Sequence, residues 1–184
     1  MKSTASGTRT VCRSALAAAA ALNLALAACA SVPTAPPLSA ALAPKAGETL
    51  LMTVAARGVQ IYECRASGSV GAEWAFVAPE AELLDATNRV IGSHGAGPFW
   101  QARDGSRVTG TVKRRVDAPA AGAIPWLLLA TRASGPEGRF SRVSSIQRVN
   151  TSGGAAPAEG CRPDAIGTTA RVPYAADYHL YAAR

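Results

Sequence analysis

The residues best suited to chemistry lie around a glycine-rich segment in the middle of the chain. His94, Trp100 and Asp104 accompany Gly95 and Gly97, two glycines that permit backbone conformations closed to other residues. One interpretation is a ligand-binding pocket with an imidazole and an indole at its mouth. The other is a tight connection between strands, in which the tryptophan belongs to the core and the histidine bonds a backbone carbonyl. The second is favoured, because buried tryptophan and hydrogen-bonded histidine are the commoner findings.

A catalytic use of histidine defines the enzyme alternative. A hydrolase-like enzyme would pair His94 or His179 with Asp104 or Asp177, and it needs imidazole and carboxylate within about 3 Å in an open cleft. The chain has two histidines and contains no HExxH, CxxC or GxSxG motif. We therefore expect no metal site and no cofactor, and the sequence favours a binding or structural module over the enzyme.

The cysteines indicate an oxidising compartment. Of the four, Cys12 and Cys29 fall in the N-terminal segment considered below, which leaves Cys64 and Cys161. A single remaining pair in an exported protein predicts a disulfide. Two buried free thiols or a two-cysteine metal site are the alternatives, and the second is weak without neighbouring ligands.

The N-terminus has the pattern of a secretory signal. Residues 1–14 contain Lys2, Arg9 and Arg13 and no acidic residue, and residues 15–28 are almost entirely Ala and Leu. A membrane-spanning helix needs about 20 apolar residues, so this shorter stretch is typical of a cleaved signal. We predict a signal peptide over residues 1–28.

The end of that stretch, Leu26-Ala-Ala-Cys29, resembles the lipobox of bacterial lipoproteins. The resemblance implies that Cys29 carries a lipid anchor, and Ala30 in place of Asp favours the outer membrane of the cell envelope. The alternative is ordinary cleavage after the small residues, which would leave a secreted or periplasmic soluble protein. Residues 29–47 then form a Pro- and Ala-rich tether, and residues 48–184 form the folded domain.

The charge of the exported chain is modest. Without Lys2, Arg9 and Arg13, its 16 basic residues exceed its 12 acidic residues by four. The bases are scattered except at residues 113–115, which reads as the solvated end of a strand, so nucleic acid is not an expected partner. The expected partners are the membrane, through the anchor, and a small ligand, a glycan or another envelope protein.

Short strands and turns dominate residues 48–184. Residues 59–64 alternate with a period of two, and residues 85–88 form a polar turn between two apolar runs, which predicts a hairpin. The only helical signal is one turn at 79–82, where Pro79 is also expected to end a strand.

Two longer runs give more detailed expectations. Residues 107–116 place Val108, Val112 and Val116 on one face of a strand, and residues 140–151 predict a long strand with a bulge near Ile146. Together the runs predict an all-β single domain with little helix: a β-sandwich or flattened β-barrel of seven to ten mostly antiparallel strands.

Eight sequence blocks occur in order along the folded domain: residues 58–64, 74–84, 94–100, 104–106, 124–129, 146–154, 160–161 and 171–178. Together they resemble a bacterial and fungal family, the domain of unknown function numbered 3455. The resemblance spans about Gly58 to Tyr181, and it brings no established activity. Family members typically carry Thr and Glu where this chain has Phe99 and Gln101, so a carboxylate role at that position is not implied here.

Overall fold

Eight antiparallel strands close into a barrel in the computed structural model, which describes residues 40–69 and 71–184. Each strand pairs with its neighbours in sequence, and the last pairs with the first, so the all-β prediction is confirmed and the barrel form is the one adopted. The predicted signal peptide, Cys29 and most of the predicted tether lie outside the described residues. The strands are β1 (Glu48–Ser67), β2 (Gly71–Leu84), β3 (Val90–Gly95), β4 (Phe99–Ala102), β5 (Arg107–Val116), β6 (Trp126–Ala133), β7 (Ser145–Gly153) and β8 (Thr169–Ala183).

The alternation of side chains along the strands fills the barrel. In β8, Tyr174, Ala176, Tyr178 and Leu180 are buried and belong to the main core cluster, while the residues between them are partly exposed. β1 shows the same period over residues 59–64, as the sequence predicted. The core therefore lies inside the barrel, where successive side chains of each strand point alternately in and out.

A second apolar cluster shows that the folded unit begins before β1. Leu42 is fully buried against Trp126 and Val149, which belong to a different cluster from the barrel core. Leu42 lies in a 3-10 turn, Ala40–Leu42, and its carbonyl accepts a hydrogen bond from Gln147 Nε2. β1 does begin at Glu48, but the last residues of the predicted tether pack on the sheet. This packing removes the apolar outer face of β6 from contact with water.

The hairpin predicted around residues 85–88 joins β2 to β3. Asp85 Oδ1 accepts hydrogen bonds from the backbone N–H groups of Thr87 and Arg89, at 2.9 and 3.1 Å. Asn88 takes a positive φ of 59°, which asparagine tolerates better than most residues. The polar residues thus build the turn through side-chain to backbone bonds.

The prediction of a helical turn at 79–82 is wrong, because β2 runs through it without interruption. Pro79 pairs with Gln60 of β1, and the ladder to β3 begins only at Ala81. The missing N–H of Pro79 therefore falls where one side of the strand has no partner strand. A register shift opposite Ile61 and Tyr62 adds a bulge beside it, the setting in which a sheet accepts proline.

Val108, Val112 and Val116 do not share one face of β5. The register with β6 shifts between Val112 and Arg114. Val108 belongs to the barrel core, whereas Val116 packs with the outer cluster around Leu42. The inserted residue reverses the alternation, as a β-bulge does.

The strand predicted over residues 140–151 is shorter than expected. β7 begins at Ser145, and Phe140 lies in the preceding turn with its side chain fully buried. Ile146 and Val149 lie on opposite faces of β7. Ile146 packs in the core inside the barrel, and Val149 packs in the outer cluster around Leu42. The register shift lies later, between Val149 and Ser152.

A disulfide links Cys64 of β1 to Cys161 in the connection between β7 and β8. The sulfur atoms are 2.02 Å apart and the Cα atoms 5.3 Å apart. The same connection is held to β2 by Trp74, whose Nε1 donates to the carbonyl of Glu159 at 2.9 Å. The long loop is thus fixed to the end of the first hairpin.

Candidate functional site

A cavity of about 960 Å³ opens at one end of the barrel. Three ring side chains of its lining, His94, Trp100 and Tyr178, form what we call the floor, and each is less than 5% exposed. β3, β4 and β8 supply these three residues. The volume lies within the range of small-molecule sites, about 300–1,000 Å³.

The floor is a packed aromatic cluster. The rings of His94 and Trp100 stack with centroids 4.3 Å apart and planes 20° apart, because the two residues are direct partners across the β3–β4 ladder. Tyr178 meets both edge-on, at 5.3 Å from the His94 ring and 5.4 Å from the Trp100 ring. The tryptophan is thus a core residue, and the two rings lie at the floor of the cavity rather than at its mouth.

The imidazole of His94 is held in one orientation and stays neutral at pH 7. Its Nδ1 lies 2.7 Å from the carbonyl oxygen of Phe99, so Nδ1 carries the hydrogen and donates it. Burial lowers the pKa of His94 to about 4, although the bond to Phe99 acts in the opposite direction. With Nδ1 protonated, Nε2 is left as an acceptor.

The glycines beside His94 serve the geometry of the β3–β4 turn. A Cβ on Gly95 would lie 2.6 Å from Cε1 of Phe99, so only glycine leaves room for that ring. Gly97 has a φ of +116°, a conformation that side chains disfavour. Gly97 and Pro98 then line the cavity.

Arg148 brings a positive charge into the apolar cavity. It lies on β7, partly buried, and its Nε and Nη2 donate to the carbonyl oxygen of Pro125 at 3.1 and 2.8 Å. The Tyr178 hydroxyl lies near this guanidinium and near the Tyr174 hydroxyl. It makes no well-aligned hydrogen bond within the described part of the chain. Burial raises the pKa of Tyr178, with Arg148 acting in the opposite direction, so the phenol keeps its proton.

The entrance carries exposed apolar side chains. Phe76, Val77 and Val112, which we call the rim, are 53%, 46% and 50% exposed and line the cavity. Arg115 and Asp117 also line it and are exposed. Apolar rim residues remain in contact with water unless something occupies the opening.

Asp104 does not join the cavity. It lies in the β4–β5 turn, and its carboxylate accepts from the backbone N–H groups of Ser106 and Arg139 at 2.9 and 2.8 Å. Hydrogen bonds from Ser106 lower its pKa. Because β4 separates this turn from the turn that holds Gly97, the two turns lie at opposite ends of the strand. Asp104 is therefore a turn residue.

The residues of the hydrolase alternative are not brought together. His94 bonds a backbone carbonyl, and His179 Nδ1 lies 3.2 Å from Gln147 Oε1. Asp177 accepts instead from Asn150 Nδ2 at 2.8 Å. Across residues 40–69 and 71–184, neither imidazole is hydrogen-bonded to a carboxylate, and no group of three potential metal ligands forms.

Sequence reasoning missed most of the cavity lining. Arg148, Tyr178 and Gln60 lie on strands far from the glycine segment in sequence. One signal was present: Gln60 alternates onto the same face of β1 as Tyr62 and Cys64, and a buried glutamine on such a face is uncommon.

No helix within the described residues is long and apolar enough to cross a membrane.

Comparison with curated proteins and with solved structures gives no match. Comparison with family models gives one that covers most of the folded unit, residues 44–182. Its description is a protein of unknown function, DUF3455. The match contains β1 to β7 entirely and all of β8 except its last residue, so it includes every strand that lines the cavity. The chain belongs to the DUF3455 family.

Proposed function

We propose that the protein is an exported, lipid-anchored domain of the cell envelope that holds a small apolar ligand in the open end of its barrel. The observation that carries the proposal is the cavity of about 960 Å³ between an aromatic floor and an exposed apolar rim. Eight-stranded barrels are just wide enough to fill with side chains or to hold one small ligand. In this barrel the side chains do not fill the interior at the open end, and the cavity is large enough for one small ligand.

The lining favours a small apolar ligand over a glycan or a protein partner. Phe76, Val77 and Val112 would transfer apolar surface from water to a ligand, at about 25 cal/mol per Å². A glycan would bring many hydroxyl groups, and each would lose its bonds to water against walls that offer few partners. A concave pocket also suits a small molecule better than a protein surface, which needs a broader contact area.

The export part of the proposal rests on residues 1–29 and on the disulfide. A signal-like N-terminus ending in Cys29 and a Cys64–Cys161 pair both fit an oxidising compartment. The test is metabolic labelling with palmitate in the producing bacterium. The wild type should label and partition into detergent, and Cys29→Ser should do neither. Equal labelling of the two proteins would contradict the anchor.

The binding test uses the neutral fluorophore N-phenyl-1-naphthylamine, which brightens in apolar surroundings. Purified protein should bind it, and Val112→Glu, which places a charge at the rim, should weaken binding about tenfold or more. The matched control is Leu50→Glu, since Leu50 is also a strand residue, is 55% exposed and lies outside the cavity lining. Lack of binding by the wild type, or equal loss in both variants, would refute the proposal.

A further inference from the structure

The polar group that a ligand in the cavity can reach is Arg148. Trp100 Nε1 and the Tyr178 hydroxyl make no well-aligned hydrogen bond among the residues described, but both atoms are closed off by the surrounding protein. Their side chains are 1% and 0% exposed. Arg148 lines the same cavity and remains partly exposed, so its guanidinium is the donor that the lining offers to an acceptor on a ligand.

The charge at the same depth is positive. Arg148 lines the cavity from β7, opposite Leu127 of β6 in the ladder. Its bonds to Pro125 use Nε and Nη2, while Nη1 takes part in none of the hydrogen bonds that the described residues show. The ion pairs formed in residues 40–69 and 71–184 do not include Arg148.

Among the described residues, no carboxylate lies at the floor beside this charge. Asp117 is the one acidic residue in the described lining, and it is exposed and accompanied there by Arg115. Burial raises the pKa values of Tyr62 and Tyr178, and the nearby positive charge of Arg148 acts in the opposite direction on both. A partly buried cation is stabilised by an anion that reaches it.

We propose that the ligand is a monocarboxylate with an apolar body, bound with its carboxylate at Arg148 and its body between floor and rim. The inference rests on the proposed function and names the ligand class for the same cavity. A guanidinium offers two parallel N–H donors to the two oxygens of a carboxylate. One guanidinium matches one negative charge, whereas a phosphate would bring about two into the same apolar surroundings.

The test compares dodecanoate with 1-dodecanol as displacers of N-phenyl-1-naphthylamine from purified protein, below their aggregation concentrations. Dodecanoate should displace the probe at a concentration lower by about tenfold or more, the factor expected of a charge-assisted hydrogen bond. A parallel arm with 2-naphthoate and 2-naphthol shows whether an aromatic body is also accepted. In either arm the acid should be preferred over its neutral analogue.

Variants assign that preference to one side chain. Arg148→Met should keep probe binding and lose the preference for the acid, and Arg148→Lys should keep part of it. The matched control is Arg114→Met, because Arg114 is exposed on β5 and lies outside the cavity lining, so its preference should equal that of the wild type.

The outcomes separate this inference from the proposed function. If neither the probe nor any of the four compounds binds, both are overturned. If the probe binds but acid and neutral analogue displace it equally, or if Arg148→Met retains the preference, only the carboxylate assignment is overturned. Should Arg148→Met not fold, the comparison on the wild type still decides.

Discussion

His94 and Trp100 face each other across the β3–β4 ladder with their rings stacked, the centroids 4.3 Å apart. The pair forms the boundary between the packed core of the barrel and its cavity. Each ring therefore affects both the stability of the fold and the shape of the site, and the two contributions can be measured separately.

Trp100→Ala should destabilise the protein by about 3–5 kcal/mol, the usual cost of removing a large buried aromatic side chain. Trp100 is 1% exposed and packs on both His94 and Tyr178. Urea denaturation measures the free energy of unfolding. Trp74→Ala is the control, since Trp74 is only partly buried and should cost less. Equal costs would show that Trp100 is not a core residue.

Stability should fall as the pH is lowered through the range set by His94. Burial lowers its folded-state pKa to about 4, below the usual 6.5. Below pH 6.5 the unfolded chain takes up a proton at His94 that the folded protein does not. The contribution of neutral His94 to the free energy of unfolding is therefore complete above pH 6.5 and is lost as the pH falls towards 4. The loss amounts to about 3 kcal/mol at 1.36 kcal/mol per pKa unit.

Thermal or urea denaturation of His94→Gln should show a flatter pH dependence between 4 and 6.5 than the wild type. His179→Gln should keep most of the slope, because His179 is only half-buried. If both variants retain the wild-type slope, the imidazole of His94 is not buried in the neutral form.

Loss of the disulfide should weaken the fold without abolishing it. Cys64 and Cys161 are separated by 97 positions. A disulfide that closes a loop of that size lowers the conformational entropy of the unfolded chain and so stabilises the fold, by about 4–5 kcal/mol at most. The double variant Cys64→Ala/Cys161→Ala should unfold at lower urea and be insensitive to reductant. The wild type should lose stability when reductant is added, and an unchanged midpoint would contradict the pairing.

Leu42→Ala should cost about 2–5 kcal/mol, although the residue precedes the first strand. Leu42 is fully buried over Trp126 and Val149, so its loss uncovers the outer face of β6. Leu50→Ala is the control, at 55% exposure, and should stay within about 0.5 kcal/mol. Similar small effects for both would place the turn outside the folded unit.

The sequence indicates the fold class well because alternation is local. Residues 59–64 show the period of a strand directly, and the polar turn at 85–88 marks a hairpin. The bulge at Lys113 is different, since the register shift arises from pairing with β6 and leaves no local pattern. The sequence pattern therefore places Val116 on the wrong face of β5.

The candidate site was predictable only in its local part. The sequence points to His94 and Trp100 because one short hairpin brings them together. Closeness in sequence groups Asp104 with them, although β4 carries it to the opposite end of the strand. Arg148 and Tyr178 reach the cavity only through the closed order of the strands, which a pattern along the chain does not contain.

The position of β8 makes the integrity of the whole barrel depend on the C-terminus. β8 pairs with β1 from Glu48–Ala183 to Glu63–Thr169, and it pairs with β7 on its other side. A proteolytic cut that removed it would leave two long unpaired edges at once, and exposed edges recruit strands from other chains. The 15 residues of β8 therefore close the sheet: a chain without them is not a slightly smaller barrel but an open sheet prone to self-association.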